Sequence, residues 1–403
     1  MVLVGPPFRL KARVNEPRPI RWRSVVPASM IVLMRFPLNR RHFLTALGMT
    51  TLSAPALGLD AKRPGSDWQS FDSACELIGK HVKAGVLKAA MLRVVNGGEV
   101  HERAFGVKPD AMFLIASITK PMTVTGAMVL ADRLELSLSD PVMKFIPEFD
   151  EGDRRLVTIK HLMTHASGLP DQLPENNELR ARHAPMEEFV KGAVGTPLLF
   201  KPGTRYKYQS MGILLLAEIV QRLSGKSIAE FLKTEVFTPL AMNRTVLGLG
   251  DYKLSDVVPS QTESAAPESG SGSADAKNWD WNSQYWRSFG APWGGAHSTA
   301  KDVDSFLRSF LHPRGRVLRR TTARLMTTDH NAGLSTRRGL GFVMGPDGLG
   351  KSLSSHSFGH SGSTGTLAWA DPVTDRSFVL LTSLPARKSR RLIINPVSDL
   401  LSV

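Results

Sequence analysis

Cysteine is nearly absent from this chain of 403 residues, in which Cys75 is the only one. A single cysteine excludes an internal disulfide and any metal cluster built from several cysteines. The chain also lacks a Gly-x-Ser-x-Gly elbow, which excludes the usual nucleophile motif of the α/β-hydrolases. His161 and His165 have the spacing of a zinc-binding pair, but Leu162 stands where a His-Glu-x-x-His motif requires glutamate. The sequence therefore predicts neither a bound metal nor a cofactor.

Acidic residues are nearly absent from residues 1–56, where Glu16 stands against nine lysines and arginines. This segment carries a net charge of +8 out of the formal +15, which leaves +7 for the other 347 residues. Later basic runs, at 314–324 and 387–391, are not interleaved with aromatic residues. Such runs are typical of solvated helix faces, so the charge predicts no nucleic-acid partner.

The basic N-terminal segment has the features of an export signal. A twin-arginine pair at 40–41 precedes an apolar run that ends at Leu59, with a small-residue triplet at 54–56 that matches a cleavage site. The run is about 17 residues long and is broken by Pro55, so it is short for a membrane-spanning helix. We therefore expect residues 1–56 to be a twin-arginine-type signal region with a long lead-in. The protein is then exported to the periplasm or cell envelope, with no stable membrane insertion after the signal is removed. The alternative is a disordered basic tail.

Apolar periodicity predicts strands towards both ends of the chain and helices between them. Predicted strands lie at 87–95, 99–105, 366–370 and 377–382. Predicted helices lie at 71–82, 117–133, 213–223, 302–311 and 392–401.

This order of elements predicts one domain over residues 57–403 with an α+β fold. An antiparallel sheet flanked by helices is completed by both chain ends, and a mostly helical lobe is inserted at about 134–298. Residues 259–277 are rich in serine and glycine, which predicts a mobile low-complexity loop within that lobe.

The strongest candidate site is a Ser-x-x-Lys tetrad formed by Ser117 and Lys120 at the mouth of a long apolar helix. Residues three apart share one helix face, which brings the lysine amine within reach of the serine hydroxyl. A serine becomes nucleophilic when a neighbouring base takes its proton, and a desolvated lysine can be that base. Ser298 and Lys301 fit the same pattern, but no long apolar helix follows them with further candidate partners.

Two more segments carry candidate groups. Tyr208 and Ser210 precede an apolar helix, and a phenol near a lysine ammonium can be held as a phenolate and relay a proton. His360, Gly362 and Ser363 lead into a strand, where small residues allow close backbone approach to a ligand and an N–H can serve as an oxyanion donor. Taken alone, the first segment is more typical of a packing tyrosine, and the second is more typical of a simple turn.

In this order, the segments resemble the penicillin-recognising serine hydrolases, specifically the class C β-lactamase-related family. The resemblance covers about residues 71–372 and includes secondary signatures. These are Asp140-Pro141, the segment 145–149, the segment 159–170, Lys201-Pro202-Gly203, Gly294-Gly295 before Ser298, and the segment 359–362. The resemblance implies a β-lactamase/transpeptidase-like fold and an acyl-enzyme mechanism.

The resemblance also implies a role for each matching residue. Ser117 is the nucleophile, Lys120 is its base partner, and Tyr208 relays a proton to the leaving group. The backbone N–H groups of Ser117 and Ser363 form the oxyanion hole. The implied substrate-binding residues are His360, Gly362 and Ser210.

Two departures from the family pattern bear on the substrate. Ser210 replaces the asparagine of Tyr-x-Asn, and His360 replaces the lysine of Lys-Thr-Gly, so an amide and a cation that would bind a β-lactam are missing. We therefore expect a small ester or a D-amino-acid amide as substrate. The alternatives are a true β-lactamase acting on β-lactam-like substrates, a D-stereospecific peptidase acting on peptidoglycan-type peptides, and an inactive peptidoglycan-binding or sensor protein of the same fold.

An aromatic segment at 279–293 contains four of the seven tryptophans. Its aromatic residues are Trp279, Trp281, Tyr285, Trp286 and Trp293. They fit either core packing or an apolar wall of the acyl pocket.

Overall fold

Strands from both ends of the chain pair in one antiparallel sheet in the computed structural model, which describes residues 66–403. The strands are β1 (Ala90–Asn96), β2 (Glu99–Phe105), β3 (Phe113–Leu114), β4 (Val246–Leu247), β5 (Ala296–Ser298), β6 (Val343–Met344), β7 (Phe358–Gly362), β8 (Thr366–Asp371) and β9 (Arg376–Thr382). The main sheet has the order β2-β1-β9-β8-β7-β6, and a small sheet has the order β3-β5-β4. The pairing of β1 with β9 thus joins the two ends, as predicted.

The helices cover the main sheet and build the inserted lobe. They are α1 (Ser66–Lys83), α2 (Thr119–Asp132), α3 (Ile159–Met163), α4 (Asn176–Ala181), α5 (Met186–Gly195), α6 (Met211–Ser224), α7 (Ile228–Leu232), α8 (Gln284–Phe289), α9 (Ala300–Leu311), α10 (Arg320–Met326), α11 (Ala386–Ser389) and α12 (Asn395–Leu401). In α2, every residue from Thr119 to Leu130 is buried, and the helix packs against α6 and α7. The helix that follows the candidate nucleophile is therefore enclosed on all sides.

The alternation of side chains in β1 explains why two layers form. Leu92 joins a cluster that includes residues of α1 and α12, whereas its neighbour Met91 joins the large cluster shared with α2 and α9. Successive side chains of a strand point to opposite faces, so both faces of a central strand bury apolar surface. Each large apolar side chain buried in this way contributes about 1.5–3 kcal/mol. The sheet is thereby fixed between two helical layers.

Two threonine hydroxyls tie the main sheet to the backbone just before Ser117. Thr364 Oγ1 donates to the carbonyl oxygen of Leu114 at 2.6 Å, and Thr366 Oγ1 donates to that of Ile115 at 3.0 Å. The turn between β7 and β8 is therefore held against the segment that carries the candidate nucleophile.

The predicted fold class is confirmed, with two local differences. Ser117 lies in a 3-10 helix, Ala116–Ile118, and α2 begins only at Thr119. The predicted mobile loop at 259–277 is instead folded into short 3-10 helices, and Ser269 within it is fully buried.

Among residues 66–403, no helix is long and apolar enough to cross a membrane. The predicted signal region at 1–56, with its arginine pair, lies outside the described residues.

Candidate active site

The Ser117 hydroxyl and the Lys120 amine meet at the start of α2. Lys120 Nζ donates to Ser117 Oγ at 3.1 Å and to the carbonyl oxygen of Trp293 at 2.9 Å. Ala116, directly before the serine, has a positive φ of 46°, a conformation that is strained for a residue with a Cβ. This turn lets Ser117 face the cavity while α2 runs into the core. The sequence prediction of a Ser–Lys contact is therefore matched by the geometry.

Lys120 is almost completely buried, with 1% of its surface exposed. Burial lowers the pKa of Lys120 from 10.5 to about 8, with the charge of Arg338 acting in the same direction and that of Asp171 opposing it. No carboxylate of the described residues lies within 4 Å of its amine. The amine is therefore neutral in about a tenth of the molecules at pH 7, and a neutral amine can accept a proton.

The second Ser-x-x-Lys tetrad is not a site. Ser298 lies in β5, is fully buried, and its hydroxyl is hydrogen-bonded to Thr245 Oγ1 at 2.7 Å. Lys301 is exposed on α9. The Ser298 side chain is therefore buried in the small sheet, and the Lys301 side chain lies at the surface.

Tyr208 lies beside the Ser–Lys pair, just before α6. Lys120 Nζ lies 4.8 Å from the centre of the Tyr208 ring, which is also 4.7 Å from the His165 ring. Burial raises the pKa of Tyr208 well above 10, although a hydrogen bond with Ser117 and the charge of Arg338 oppose this shift. The phenolate considered from the sequence is thus disfavoured in the free protein, because burial outweighs the nearby cations. Tyr208 is a phenol that can donate its proton.

His360 and Gly362 in β7 form the wall opposite Tyr208. A Cβ on Gly362 would lie 2.5 Å from the carbonyl oxygen of Ile115, so only glycine allows β7 to approach the nucleophile turn this closely. His360 Nδ1–H donates to the carbonyl oxygen of Ser361 at 2.7 Å. Burial lowers the pKa of His360 well below 6.5, so the imidazole is neutral at pH 7. The sequence expectation that no cation stands at this position is matched.

Ser210 and Ser363 both line the same cavity. The Ser210 hydroxyl donates to Asp171 Oδ1 at 2.6 Å, which leaves its oxygen free to act only as an acceptor towards a ligand. The carbonyl oxygen of Ser363 accepts from the N–H of Ala386 at 2.9 Å, which fixes the peptide after β7. All seven residues singled out from the sequence are therefore gathered at one place.

The cavity has a volume of about 460 Å³. Trp281, Trp286 and Trp293 line the cavity and are also buried in the core. Trp279 and Tyr285 of the same segment are not among the residues that line it. Further lining residues are charged and were not predicted from the sequence. They are Arg180, Arg338 and Arg390, together with Asp171, Glu268 and Asp347.

Arg180 explains why residues 259–277 are folded. Its guanidinium stacks on Trp286, with 3.7 Å between Cζ and the ring centre, and donates to the carbonyl oxygens of Glu268 and Trp279. These bonds hold the low-complexity segment against α4 and bring Glu268 to the cavity. Nothing in the composition of the segment indicates such a partner.

Neither histidine of the pair considered for zinc is among the residues that line the cavity. His161 Nδ1 accepts from the N–H of Thr158 at 3.2 Å and completes the N-terminal cap of α3. His165 has a positive φ of 60° and its Nδ1 accepts from the N–H of Gln209 at 3.3 Å. Within residues 66–403, no group of three or more His, Cys, Asp or Glu side chains is arranged to hold a metal ion.

Comparisons with known proteins identify the family of this chain. The β-lactamase family model matches residues 76–398. Penicillin-binding protein 4* of Bacillus subtilis is 30% identical over 182 residues, which are 41% of this chain and 38% of that protein. Esterase EstB of Burkholderia gladioli is 32% identical over 181 residues, which are 39% of this chain and 46% of that protein. The chain thus spans less than half the length of these curated relatives.

Solved structures share the fold at lower identity. The hydrolase EstCE1, which has promiscuous acyltransferase activity, superposes with a TM-score of 0.68 at 19% identity over 84% of this chain and 100% of that chain. A D-amino acid amidase from Ochrobactrum anthropi superposes with a TM-score of 0.65 at 20% identity over 83% and 98% of the two chains. The family model spans most of the chain, and the fold agrees with it: the chain belongs to the β-lactamase family.

Proposed function

We propose that this protein is a serine hydrolase that acts through an acyl-enzyme on small esters or amides. The observation that carries the proposal is the contact of 3.1 Å between Ser117 Oγ and the Nζ of a buried lysine whose pKa is lowered to about 8. A neutral amine at hydrogen-bond distance from a hydroxyl is the arrangement that general-base activation of a serine requires.

In the proposed acylation, Lys120 takes the hydroxyl proton as Ser117 Oγ attacks the substrate carbonyl carbon. The backbone N–H groups of Ser117 and Ser363 stabilise the resulting oxyanion. Tyr208 donates its phenol proton to the leaving oxygen or nitrogen as the bond to the acyl carbon breaks. The ammonium of Lys120, whose Nζ lies 4.8 Å from the centre of the Tyr208 ring, returns a proton to the phenolate oxygen of Tyr208. Water then hydrolyses the acyl-enzyme by the reverse proton route.

Small esters are favoured over β-lactams by two groups in the cavity. His360 is neutral, and the hydroxyl of Ser210 donates its only hydrogen bond to Asp171. Neither can supply the charged or amide donor that would bind a β-lactam carboxylate or acylamino group. The tryptophan wall offers an apolar surface to a short acyl chain instead. The names of two similar proteins, an esterase and a D-amino acid amidase, agree with this choice.

The test combines covalent labelling with two substrate classes. A serine-directed fluorophosphonate should label the protein, Ser117→Ala should abolish labelling, and Ser298→Ala serves as the matched control because its hydroxyl is buried away from the cavity. Short-chain nitrophenyl esters should be hydrolysed, with little turnover of a chromogenic cephalosporin. Fast cephalosporin hydrolysis with esters untouched would establish a β-lactamase instead. No labelling and no turnover of either class would favour the binding or sensor alternative.

For location, we propose export through the twin-arginine route to the periplasm or cell envelope. The proposal rests on the arginine pair and the short apolar run of residues 1–56.

A further inference from the structure

A second cavity lies between α9 and the segment that connects this helix to α10. It has a volume of about 350 Å³ and shares no lining residue with the candidate active site. Its wall includes Arg308 of α9 and, from the connecting segment, Arg314 and Arg316. This arginine cavity is large enough for a small organic ligand.

The three arginines of the wall have no partner in the described part of the chain. Arg308 is half-buried in the last turn of α9, whereas Arg314 and Arg316 are exposed. Within residues 66–403, none of the three guanidinium groups donates a hydrogen bond to a protein acceptor or forms an ion pair with a carboxylate. Nη1 of Arg308 is itself buried and unpartnered. Three like charges around one cavity repel each other, and an anion between them would relieve that repulsion.

The negative groups near the arginine cavity are too few to balance these charges. Among the described residues that line it, Asp304 is the one carboxylate. Its oxygens accept from Arg93 Nε at 3.1 Å and from the Ser377 hydroxyl at 2.6 Å, so its charge is already paired. The C-terminal end of α9 adds about half a negative charge. The cavity therefore keeps a net positive charge.

The remaining wall of the arginine cavity is apolar. Its buried apolar residues, which also belong to the large core cluster, are Leu240, Phe310, Leu318 and Ala323. Thr125 of α2 also lines the cavity, but its hydroxyl donates to the carbonyl oxygen of Pro121 at 2.7 Å. That hydroxyl therefore has no proton left to donate to a ligand. A ligand that fits both parts of the wall is an anion with an apolar body.

We propose that the arginine cavity binds an organic phosphate, a phosphate monoester with an apolar substituent. The phosphate group contacts the three guanidinium groups, and the substituent packs against Phe310 and Leu318. A phosphate monoester brings about −1.5 to −2 charges at pH 7 and three strong acceptor oxygens. Guanidinium groups bind such oxygens in pairs of parallel hydrogen bonds. A carboxylate would bring a single charge and two oxygens for three guanidinium groups.

This site differs from what the sequence predicts for the basic run at 314–324. The run was expected to be a solvated helix face, but α9 ends at Leu311 and α10 begins at Arg320. Arg314 and Arg316 therefore lie in the connection, beside a cavity that a helix face would not provide. Because the two cavities share no residue, the proposed ligand site does not depend on the hydrolase proposal.

The test measures binding of four probes to the unaltered protein by isothermal titration calorimetry. The probes are phenyl phosphate, inorganic phosphate, benzyl alcohol and benzoate. Phenyl phosphate should bind most tightly, because it alone supplies both a phosphate group and an apolar ring. No binding of phenyl phosphate at millimolar concentration would overturn the proposal. Binding of benzoate at least as tight as that of phenyl phosphate would overturn the assignment to a phosphate.

Variants of the wall locate the bound phosphate. Arg308→Gln should weaken binding of phenyl phosphate about tenfold to a hundredfold, as expected for loss of charge-assisted hydrogen bonds. Arg314→Gln should weaken it as well, and this exposed residue keeps the test decisive if the Arg308 variant does not fold. Arg320→Gln is the matched control, because Arg320 belongs to the same basic run but is exposed on α10 and does not line the cavity. Equal weakening in all three variants would assign the binding to general positive potential and would overturn the site.

A last variant excludes binding in the candidate active site, which Arg338 lines. Arg338→Gln should leave the affinity for phenyl phosphate unchanged. If this variant loses binding while Arg308→Gln and Arg314→Gln keep it, the phosphate is bound in the active-site cavity and the proposal is wrong. Hydrolysis of esters has no part in these titrations, so failure of the hydrolase proposal would leave their result valid.

Discussion

The proposed base can be tested through the pH dependence of ester hydrolysis. Because burial lowers the pKa of Lys120 to about 8, about a tenth of the molecules carry a neutral amine at pH 7 and about nine-tenths at pH 9. An ordinary lysine would be neutral in roughly one molecule in two to three thousand at pH 7. If the neutral amine activates Ser117, kcat/KM should rise about tenfold between pH 7 and pH 9 and then level off.

Lys120→Arg separates the base from the charge. A guanidinium keeps the positive charge but does not give up its proton, so kcat/KM should fall by at least about a thousandfold and the rise with pH should disappear. Lys301→Arg is the matched control, because Lys301 belongs to the second Ser-x-x-Lys tetrad and is exposed on α9. Its profile should coincide with that of the unaltered protein.

The assay follows nitrophenolate release from 4-nitrophenyl acetate in a stopped-flow instrument. The rate with Ser117→Ala is subtracted at each pH, because the ester hydrolyses spontaneously in alkali. Circular dichroism verifies that the Lys120→Arg variant is folded. A flat profile between pH 7 and pH 9, or an arginine variant as active as the unaltered protein, would refute the reasoning and would leave Tyr208 as the base.

Three further predictions concern stability, packing and export. Between pH 8 and 10.5 the folded protein binds fewer protons at Lys120 than the unfolded chain does, so the free energy of unfolding rises with pH in this range. Below pH 8 the buried ammonium lowers the stability of the folded protein. Lys120→Met should therefore raise the melting temperature, and by more at pH 7 than at pH 10. Gly362→Ala should lower both kcat/KM and the melting temperature, because the added Cβ would lie 2.5 Å from the carbonyl oxygen of Ile115. Gly195→Ala is the control, because a Cβ at this position would have no neighbouring atom within 4 Å, and it should change neither quantity appreciably. Changing Arg40 and Arg41 to lysine should leave full-length precursor in the cytoplasm, as measured by cell fractionation, and normal delivery to the envelope would contradict the twin-arginine proposal.

Much of the fold could be predicted because its signals are local. The apolar runs of β1 and β9, the long apolar stretch of α2 and the apolar face of α6 are visible in short windows of sequence. The Ser117–Lys120 contact was predictable for the same reason, since a single helical turn joins the two residues.

The rest of the site depends on contacts between distant residues. Arg338 lies in a connecting segment, where an arginine is usually exposed, and its burial results from packing against residues more than a hundred positions earlier. The stacking of Arg180 on Trp286 likewise folds a serine- and glycine-rich segment that composition alone predicts to be mobile. Tyr208 stays protonated because it is buried by residues that are distant in sequence, and no local sequence pattern predicts this burial.

The pairing of β1 with β9 also constrains how the chain can fold. The N–H of Ala89 reaches the hydroxyl of Ser383, a contact between residues 294 positions apart. During synthesis, β1 and β2 emerge long before β9 does, so one edge of this hairpin stays open until most of the chain is made. Contacts of such long sequence separation slow folding and expose strand edges to aggregation. Completion of the candidate active site is thus coupled to the end of translation, which leaves a long interval in which a chaperone can hold the chain.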